Sequence, residues 1–196
     1  MLFIVRHGRT EANATGRLLG RLDLPLDPLG ERQAAALATA VGPVDRVVSS
    51  PLLRTRQTAA QFGLDVTIDE RFVELDYGEY DGLPLAEVPP EIWREWRRDP
   101  GFTPPGGESL TALRSRVEAG LAELAETART EDIAVVTHVS PIKASVTWAL
   151  GVGDDVTWRM RVSPASISRI AVSEAGPSLH SFNEVAHLVD VVEIID

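Results

Sequence analysis

No cysteine occurs among the 196 residues. Disulfides, thiolate zinc sites and a cysteine nucleophile are therefore excluded, and the chain suits a reducing, cytoplasmic setting. Long apolar runs are missing too. No stretch approaches the ~20 residues a membrane helix needs, and Met1–Val5 meets Arg6 too soon for a signal peptide. No membrane partner is expected. Positive charge is scarce: Lys and Arg number 19 against 29 Asp and Glu, giving a formal net charge of −10 and a pI near 4.9. Such a surface repels nucleic acid and acidic membranes, so no nucleic-acid partner is expected either. Repeats, low-complexity tracts and Ser/Gly linkers are absent, which with the length points to one domain over 1–196. A domain of this size buries roughly 70% of its unfolded surface and needs no covalent staple.

Several catalytic signatures are also missing. There is no G-x-x-x-x-G-K-S/T phosphate loop and no G-x-S-x-G nucleophile elbow. H-E-x-x-H does not occur, and no two histidines stand at ligand spacing on one helix, so no metal is expected. Gly151-Val152-Gly153 lacks the third glycine of a dinucleotide fingerprint and follows a helical pattern. Asn13-Ala14-Thr15 fits a glycosylation sequon, an accidental match without a signal peptide.

What the chain does have is alternation. Leu2–Arg6, Arg46–Ser49 and Ile133–Thr137 are short apolar runs of the kind found in strands buried on both faces. Val66–Ile68, Ser168–Val172 and Leu179–Phe182 are weaker strand candidates. Between Ser109 and Ala128, Leu110, Leu113, Val117, Leu121 and Leu124 recur every three or four residues and predict a helix with one apolar stripe. Asp27-Pro28, Ser50-Pro51 and Ser140-Pro141 each read as an N-cap followed by proline at the first helical position. Strand, capped helix, strand predicts an α/β fold with a mostly parallel central sheet flanked by helices. From Asp76 to Glu108 the chain is rich in Gly and Pro around a short helical piece, Ile92–Arg98. That excursion reads either as a lid or as a solvated connection pinned by Trp93 and Trp96.

Ligands of such sheets collect beyond the carboxyl ends of the strands. There the sequence places Arg6-His7-Gly8-Arg9-Thr10 with Asn13, then Ser49 to Arg54, then Thr137-His138-Val139-Ser140. Each group alone has a bland reading as structural or surface residues. Together they fit phosphoryl transfer. Arginine forks bind phosphate oxygens without risk of deprotonation. The amides opening the Pro51 helix are expected to add an anion site that Arg54 also reaches. A neutral imidazole could attack phosphorus while Arg6, Arg54 and a protonated His138 hold the equatorial oxygens.

Arg6-His7-Gly8 after an N-terminal strand carries a resemblance to the histidine phosphatase superfamily, in its phosphoglycerate-mutase-like branch. Residues Arg6 to Asn13 resemble the family's R-H-G-x-S/T-x-x-N, and Leu26 to Gly30 its P-L-S/T-x-x-G. Ser49 to Thr58 is similar to S-S/D-L-x-R-A/T-x-x-T, and Glu74 to Gly82 to E-x-x-x-G-x-W/Y-E/D-G. Pro105-Gly106-Gly107-Glu108-Ser109 matches P-G-G-E-S before a long helix, and Asn183 to Leu188 the N-D/E-x-x-H-L tail. The resemblance implies a three-layer sandwich and a phosphohistidine mechanism without cofactor. It implies His7 as nucleophile and Arg6, Arg54 and His138 around the phosphoryl group. Asn13, Thr10 and Gly20 complete the expected phosphate-binding set. Glu74 would be the general acid and then the base, with Asp76 and Glu79 as neighbouring carboxylates or plain loop charges. The expected partner is a small phosphorylated substrate, with room for a homodimer.

Two features depart from the family. Val139 stands where glycine usually follows the second histidine, and a valine crowds a close backbone approach to phosphate. His138-Val139-Ser140-Pro141-Ile142-Lys143 resembles the phosphatase domain fused to ribonuclease H in some actinobacterial proteins. His187 reads as structural; His180 and the acidic end, Asp190–Asp196, have no assigned role. The short middle segment favours a phosphatase over a cofactor-dependent mutase, which is usually longer there to close over bisphosphoglycerate. A non-catalytic phospho-ligand module is the third reading, and Arg94, Arg97 and Arg98 read as a solvated face or as contacts to a second substrate anion.

Overall fold

The computed structural model describes residues 1–192. The apolar runs form β1 (Leu2–Arg6), β2 (Arg46–Ser49), β3 (Val66–Ile68), β4 (Ile133–Thr137), β5 (Ile167–Ser173) and β6 (Gly176–Glu184). They make one sheet in the order β3-β2-β4-β1-β5-β6. The first four strands are mutually parallel, and β5 runs antiparallel to both β1 and β6. Every residue of β1 and β4 is buried, as befits central strands covered on both faces. The period of two sorts them. Leu2, Ile4, Ile133 and Val135 pack with Leu113, Val117 and Leu121 of α5 (Leu110–Thr127) and Ile142 of α6 (Val139–Leu150). Phe3, Val5, Ala134 and Val136 pack on the opposite face with Leu37 and Val41 of α2 (Pro28–Val41) and Ala59 of α3 (Leu53–Ala59). Helices on both faces of the sheet complete three layers. The short helices are α1 (Glu11–Ala14), α4 (Pro90–Arg98) and α7 (Val189–Val192).

The predicted α5 stripe is observed, with Ser109 as the N-cap accepting from the Ala112 amide and Ala128 as the C-cap. Asp27 caps α2 as expected, accepting from the Gly30 amide at 2.7 Å. The other two caps differ. The N-cap of α3 is Leu52, with no side-chain bond, and that of α6 is His138, which moves Ser140 inside the helix. Ser50 stands two residues before the α3 N-cap, where its hydroxyl bonds a histidine and also takes the Leu52 amide at 3.5 Å.

Two glycines bring α2 against the loop after β1. A Cβ on Gly8 would lie 2.2 Å from the Gly30 carbonyl oxygen, and one on Gly30 would lie 1.9 Å from that of Arg9. No side chain fits in either place, so the pair fixes how closely His7's loop meets the helix.

Between 76 and 108, α4 is the one α-helix. Its Trp96 is 1% exposed. The Trp96 ring meets Tyr77, Tyr80 and Phe102 edge to face, and Trp93 tilted, at centroid distances of 5.3–6.1 Å. Trp158 donates its indole N–H to the Trp96 carbonyl at 2.9 Å. Arg94, Arg97 and Arg98 are exposed, and Arg98 pairs with Glu95 within the helix. His187 donates to the Ala165 carbonyl at 3.0 Å, a structural bond, whereas His180 is exposed on β6. Of the acidic end, Asp190 lies in α7 and Glu193–Asp196 lie outside the described residues. Among the described residues no helix is long and apolar enough to cross a membrane.

Candidate active site

The carboxyl ends of β2, β4 and β1 are adjacent, and the first residue beyond each is Ser50, His138 and His7. The sheet's bonding continues into these residues. His7 N–H donates to Thr137 and Ser50 N–H to Val136, both at 3.1 Å. Three side chains are thereby held in the register of buried strands, and the two imidazoles sit edge to face at 5.1 Å.

His7 has a defined tautomer. Its Nδ1 lies 2.7 Å from the Gly8 carbonyl oxygen, which can only accept. The ring proton is therefore on Nδ1, and Nε2 carries the lone pair. Burial, then the charges of Arg54 and Arg6, hold its pKa well below the ordinary imidazole value. At neutral pH this is an uncharged, oriented imidazole.

His138 is likewise depressed by burial and by Arg54, so in the free site it is neutral rather than protonated as the sequence reading expects. Its Nε2 is 2.7 Å from the Ser50 hydroxyl. A hydroxyl donating there leaves the proton on Nδ1, which has no partner among the described residues. His138 thus remains a donor without carrying charge.

The two arginines are clamped by carbonyls. Arg6 Nη1 donates to Val162 at 2.8 Å. Arg54 Nη1 and Nη2 donate to Leu22 and Gly20, each at 2.7 Å. Carbonyls fix a guanidinium without neutralising it. Burial lowers each to about 10, with Glu74 opposing the shift in both, so both stay charged at neutral pH. Each keeps a buried Nε with no partner among the described residues. Neutral donors and held cations around one imidazole suit a tetrahedral anion.

Glu74 is 3% exposed at the start of α6. Its carboxylate accepts from the amides of Leu75 at 2.7 Å, Val139 at 3.0 Å and Ser140 at 3.1 Å. Val139 therefore spends its amide on Glu74. Asp76 closes a turn onto the Gly78 amide, and Glu79 is exposed, so neither forms a carboxylate pair with Glu74 in the free site.

The remaining expected residues are used differently. Thr10 and Asn13 form the capping box of α1: Thr10 N–H and hydroxyl both donate to Asn13 Oδ1. Gly20 gives its amide to Asp81 and its carbonyl to Arg54. The expected anion site at the start of α3 is corrected, because the Leu53 amide is taken by Asp23 Oδ1 at 2.6 Å. Among the described residues no three His, Asp or Glu side chains cluster to hold a metal.

Three contributors go beyond the sequence reading. Ser50 occupies the same strand-end position as the two histidines, a signal hidden by its reading as a cap. Asp81 accepts from the amides of Gly20, Arg21 and Leu22 at 2.7–2.9 Å, fixing the loop whose carbonyls clamp Arg54. Arg116 forks onto Glu108 at 2.8 Å twice and donates to the backbone carbonyls of Arg71 and Glu74. Asp81 stands at the E/D position of the Glu74 to Gly82 motif, a signal that named no role, whereas nothing local separates Arg116 from an ordinary helix charge.

The sequence model of the histidine phosphatase superfamily (branch 1) matches residues 2–185. The bifunctional protein Rv2228c of Mycobacterium tuberculosis is 38% identical over 177 residues, covering 85% of this chain and 49% of its own. The chain thus spans about half the length of that relative. Phosphoserine phosphatase 1 of Hydrogenobacter thermophilus is 34% identical, covering 95% and 93% of the two chains. A probable phosphoglycerate mutase GpmB of Yersinia enterocolitica is 32% identical, covering 95% and 94%. In structure, a phosphoserine phosphatase variant from Entamoeba histolytica bound to phosphoserine superposes with a TM-score of 0.89 at 26% identity, covering 96% and 98%.

Proposed function

Because the chain belongs to the histidine phosphatase superfamily (branch 1), we propose that it hydrolyses a small phosphomonoester through a phosphohistidine on His7. The observation that carries this is the His7 tautomer: Nδ1–H on the Gly8 carbonyl and an uncharged Nε2 beside Arg6 and Arg54. Nε2 attacks phosphorus and the bond to the ester oxygen breaks. Arg6, Arg54 and the His138 Nδ1–H stabilise the charge on the non-bridging oxygens. Asn13, anchored by Thr10, offers its amide to the same oxygens, and Gly20 serves by holding Arg54. Glu74 gives a proton to the leaving oxygen. In the second step it takes one from water, which attacks phosphorus as the P–Nε2 bond breaks to release inorganic phosphate. Three backbone N–H groups on its carboxylate suit the base role of that step.

The reading includes a metal-free reaction, since two held arginines supply the positive charge. It includes one domain whose 76–108 excursion covers the site, in a cytoplasmic setting that a cysteine-free chain suits. The mutase reading is favoured by the GpmB relative. Against it stands the short excursion, since a mutase must keep water from its phosphohistidine. The full set of charged groups argues against a non-catalytic module.

Rapid quench with a labelled phosphomonoester is the test. The expected result is acid-labile, base-stable label that vanishes in His7→Ala, with steady release of inorganic phosphate and activity surviving exhaustive chelation. Transfer to phosphoglycerate faster than to water makes the chain a mutase. Binding without turnover makes it a module.

A further inference from the structure

The chain has one lysine, Lys143, among its 19 basic residues. It lies on α6, one helical turn past Val139 and Ser140, whose amides hold Glu74. Its stem is buried, with 9% of the residue exposed, while its ammonium is not an enclosed atom and opens onto solvent with no hydrogen bond or ion pair among the described residues. One flank is the Trp158 ring, whose centroid is 5.3 Å from Nζ. Trp158 is itself fixed through its indole N–H to the Trp96 carbonyl, so this wall is rigid. Glu74 and Arg6 are the charged groups near enough to act on it, one attracting and one repelling.

An ammonium whose stem is packed in place and whose head opens onto solvent is free to take an anionic partner. The indole face holds it on one side, and Glu74 attracts it without forming an ion pair with it. Lys143 also has no step in the reaction derived above. The leaving group must pass beside Glu74 to receive its proton, which brings the rest of the substrate towards this end of α6. A lone ammonium without an arginine beside it matches a singly charged group better than a second phosphate, which a fork would bind bidentately.

We propose that Lys143 is a specificity-determining residue that binds a carboxylate on the leaving-group portion of the substrate, selecting carboxylated phosphomonoesters. This rests on the phosphatase reading of the same site.

Phosphoserine and phosphoethanolamine differ by one carboxylate and make the test. In the wild type kcat/KM should favour phosphoserine by about tenfold, as one added charge-assisted contact supplies. Lys143→Met should bring the ratio of the two towards one, and Lys143→Arg should restore part of it. A wild-type ratio near one, or a ratio unchanged in Lys143→Met, overturns the proposal. A direct readout does not depend on the variant folding. With lysine labelled at 13Cε, His7→Ala protein gives one lysine signal, which should move more with phosphoserine than with phosphoethanolamine. Equal movement also overturns it. If the wild type turns over neither compound nor p-nitrophenyl phosphate, the phosphatase reading has failed; equal turnover of both removes the role of Lys143 alone.

Discussion

Around His7, side chains are fixed by backbone partners: Arg6 by Val162, Arg54 by Gly20 and Leu22, Glu74 by three amides. Around Trp96, the ring edges of Tyr77, Tyr80, Trp93 and Phe102 do the fixing. The first arrangement leaves charge and donors unneutralised and therefore available to a ligand. The second buries apolar area and stabilises the fold, with little left over for chemistry. Function and stability are thus drawn from different parts of one molecule, and substitutions should separate them.

The sharpest separation is His7→Ala. It should lower turnover by about 10⁴-fold or more, since it removes the nucleophile itself. Stability should be unchanged or slightly higher, because an uncharged imidazole wedged between two arginines contributes little to folding. Parallel measurement of kcat and of denaturant midpoint decides this. A large drop in midpoint would show that the strand-end pocket is structural after all.

Trp96→Ala is the converse. Emptying so large a buried site should cost about 3–5 kcal/mol of stability, read from chemical denaturation. Trp96→Phe should cost much less, because the Trp96 indole N–H is buried with no acceptor among the described residues, and its removal relieves an unsatisfied donor. Equal losses in both variants would mean that the N–H has a partner in solution.

Asp81 joins the two regions. It lies in the excursion, yet its carboxylate holds the loop that clamps Arg54. Asp81→Asn puts an amide N–H₂ against backbone N–H groups, and should cost about 1–3 kcal/mol of stability. Vanadate, as a phosphoryl mimic, should bind about tenfold more weakly as Arg54 loses its anchor, at about 1.4 kcal/mol per tenfold. Weakened stability with unchanged vanadate affinity would uncouple the loop from the site.

The same division explains what was legible in the sequence. β1 to β4 end where their apolar runs end, and the residues just past them are set by strand geometry alone, so His7 and His138 could be placed by counting. Local rules failed where a side chain had two uses. Ser50 precedes a proline like a cap, but the helix starts three residues later and the hydroxyl reaches a buried imidazole. Leu53's amide opens a helix, but Asp23, thirty positions earlier, arrives first. The edges between Trp96, Tyr77 and Phe102 follow no period and arise only from tertiary packing. The uncharged His138 of the free site was hidden for a related reason: burial and Arg54 are invisible until the strands are assembled.

That last point gives the smallest predicted effect. His7 and His138 both have folded-state pKa values well below 6.5, the value they regain when unfolded. Between the folded values and 6.5 the unfolded chain binds protons that the folded chain refuses, so stability rises with pH across that window. Their contribution is complete above about pH 6.5 and is lost as pH falls towards the folded values. The limiting slope is roughly 1.4 kcal/mol per pH unit for each histidine, so between pH 7 and 6 the loss should be on the order of 1 kcal/mol. Denaturation midpoints from pH 7.5 to 5.5 measure it, and His138→Gln should remove about half the slope. Vanadate should flatten the curve too, because an anion beside His138 offsets the arginine charges and raises its pKa. Carboxylates titrate largely below this range, and His187, also lowered by burial, adds a slope of its own, so in a His187→Asn background a slope that survives loss of both pocket histidines would place the depressed groups elsewhere and end the account of a neutral His7.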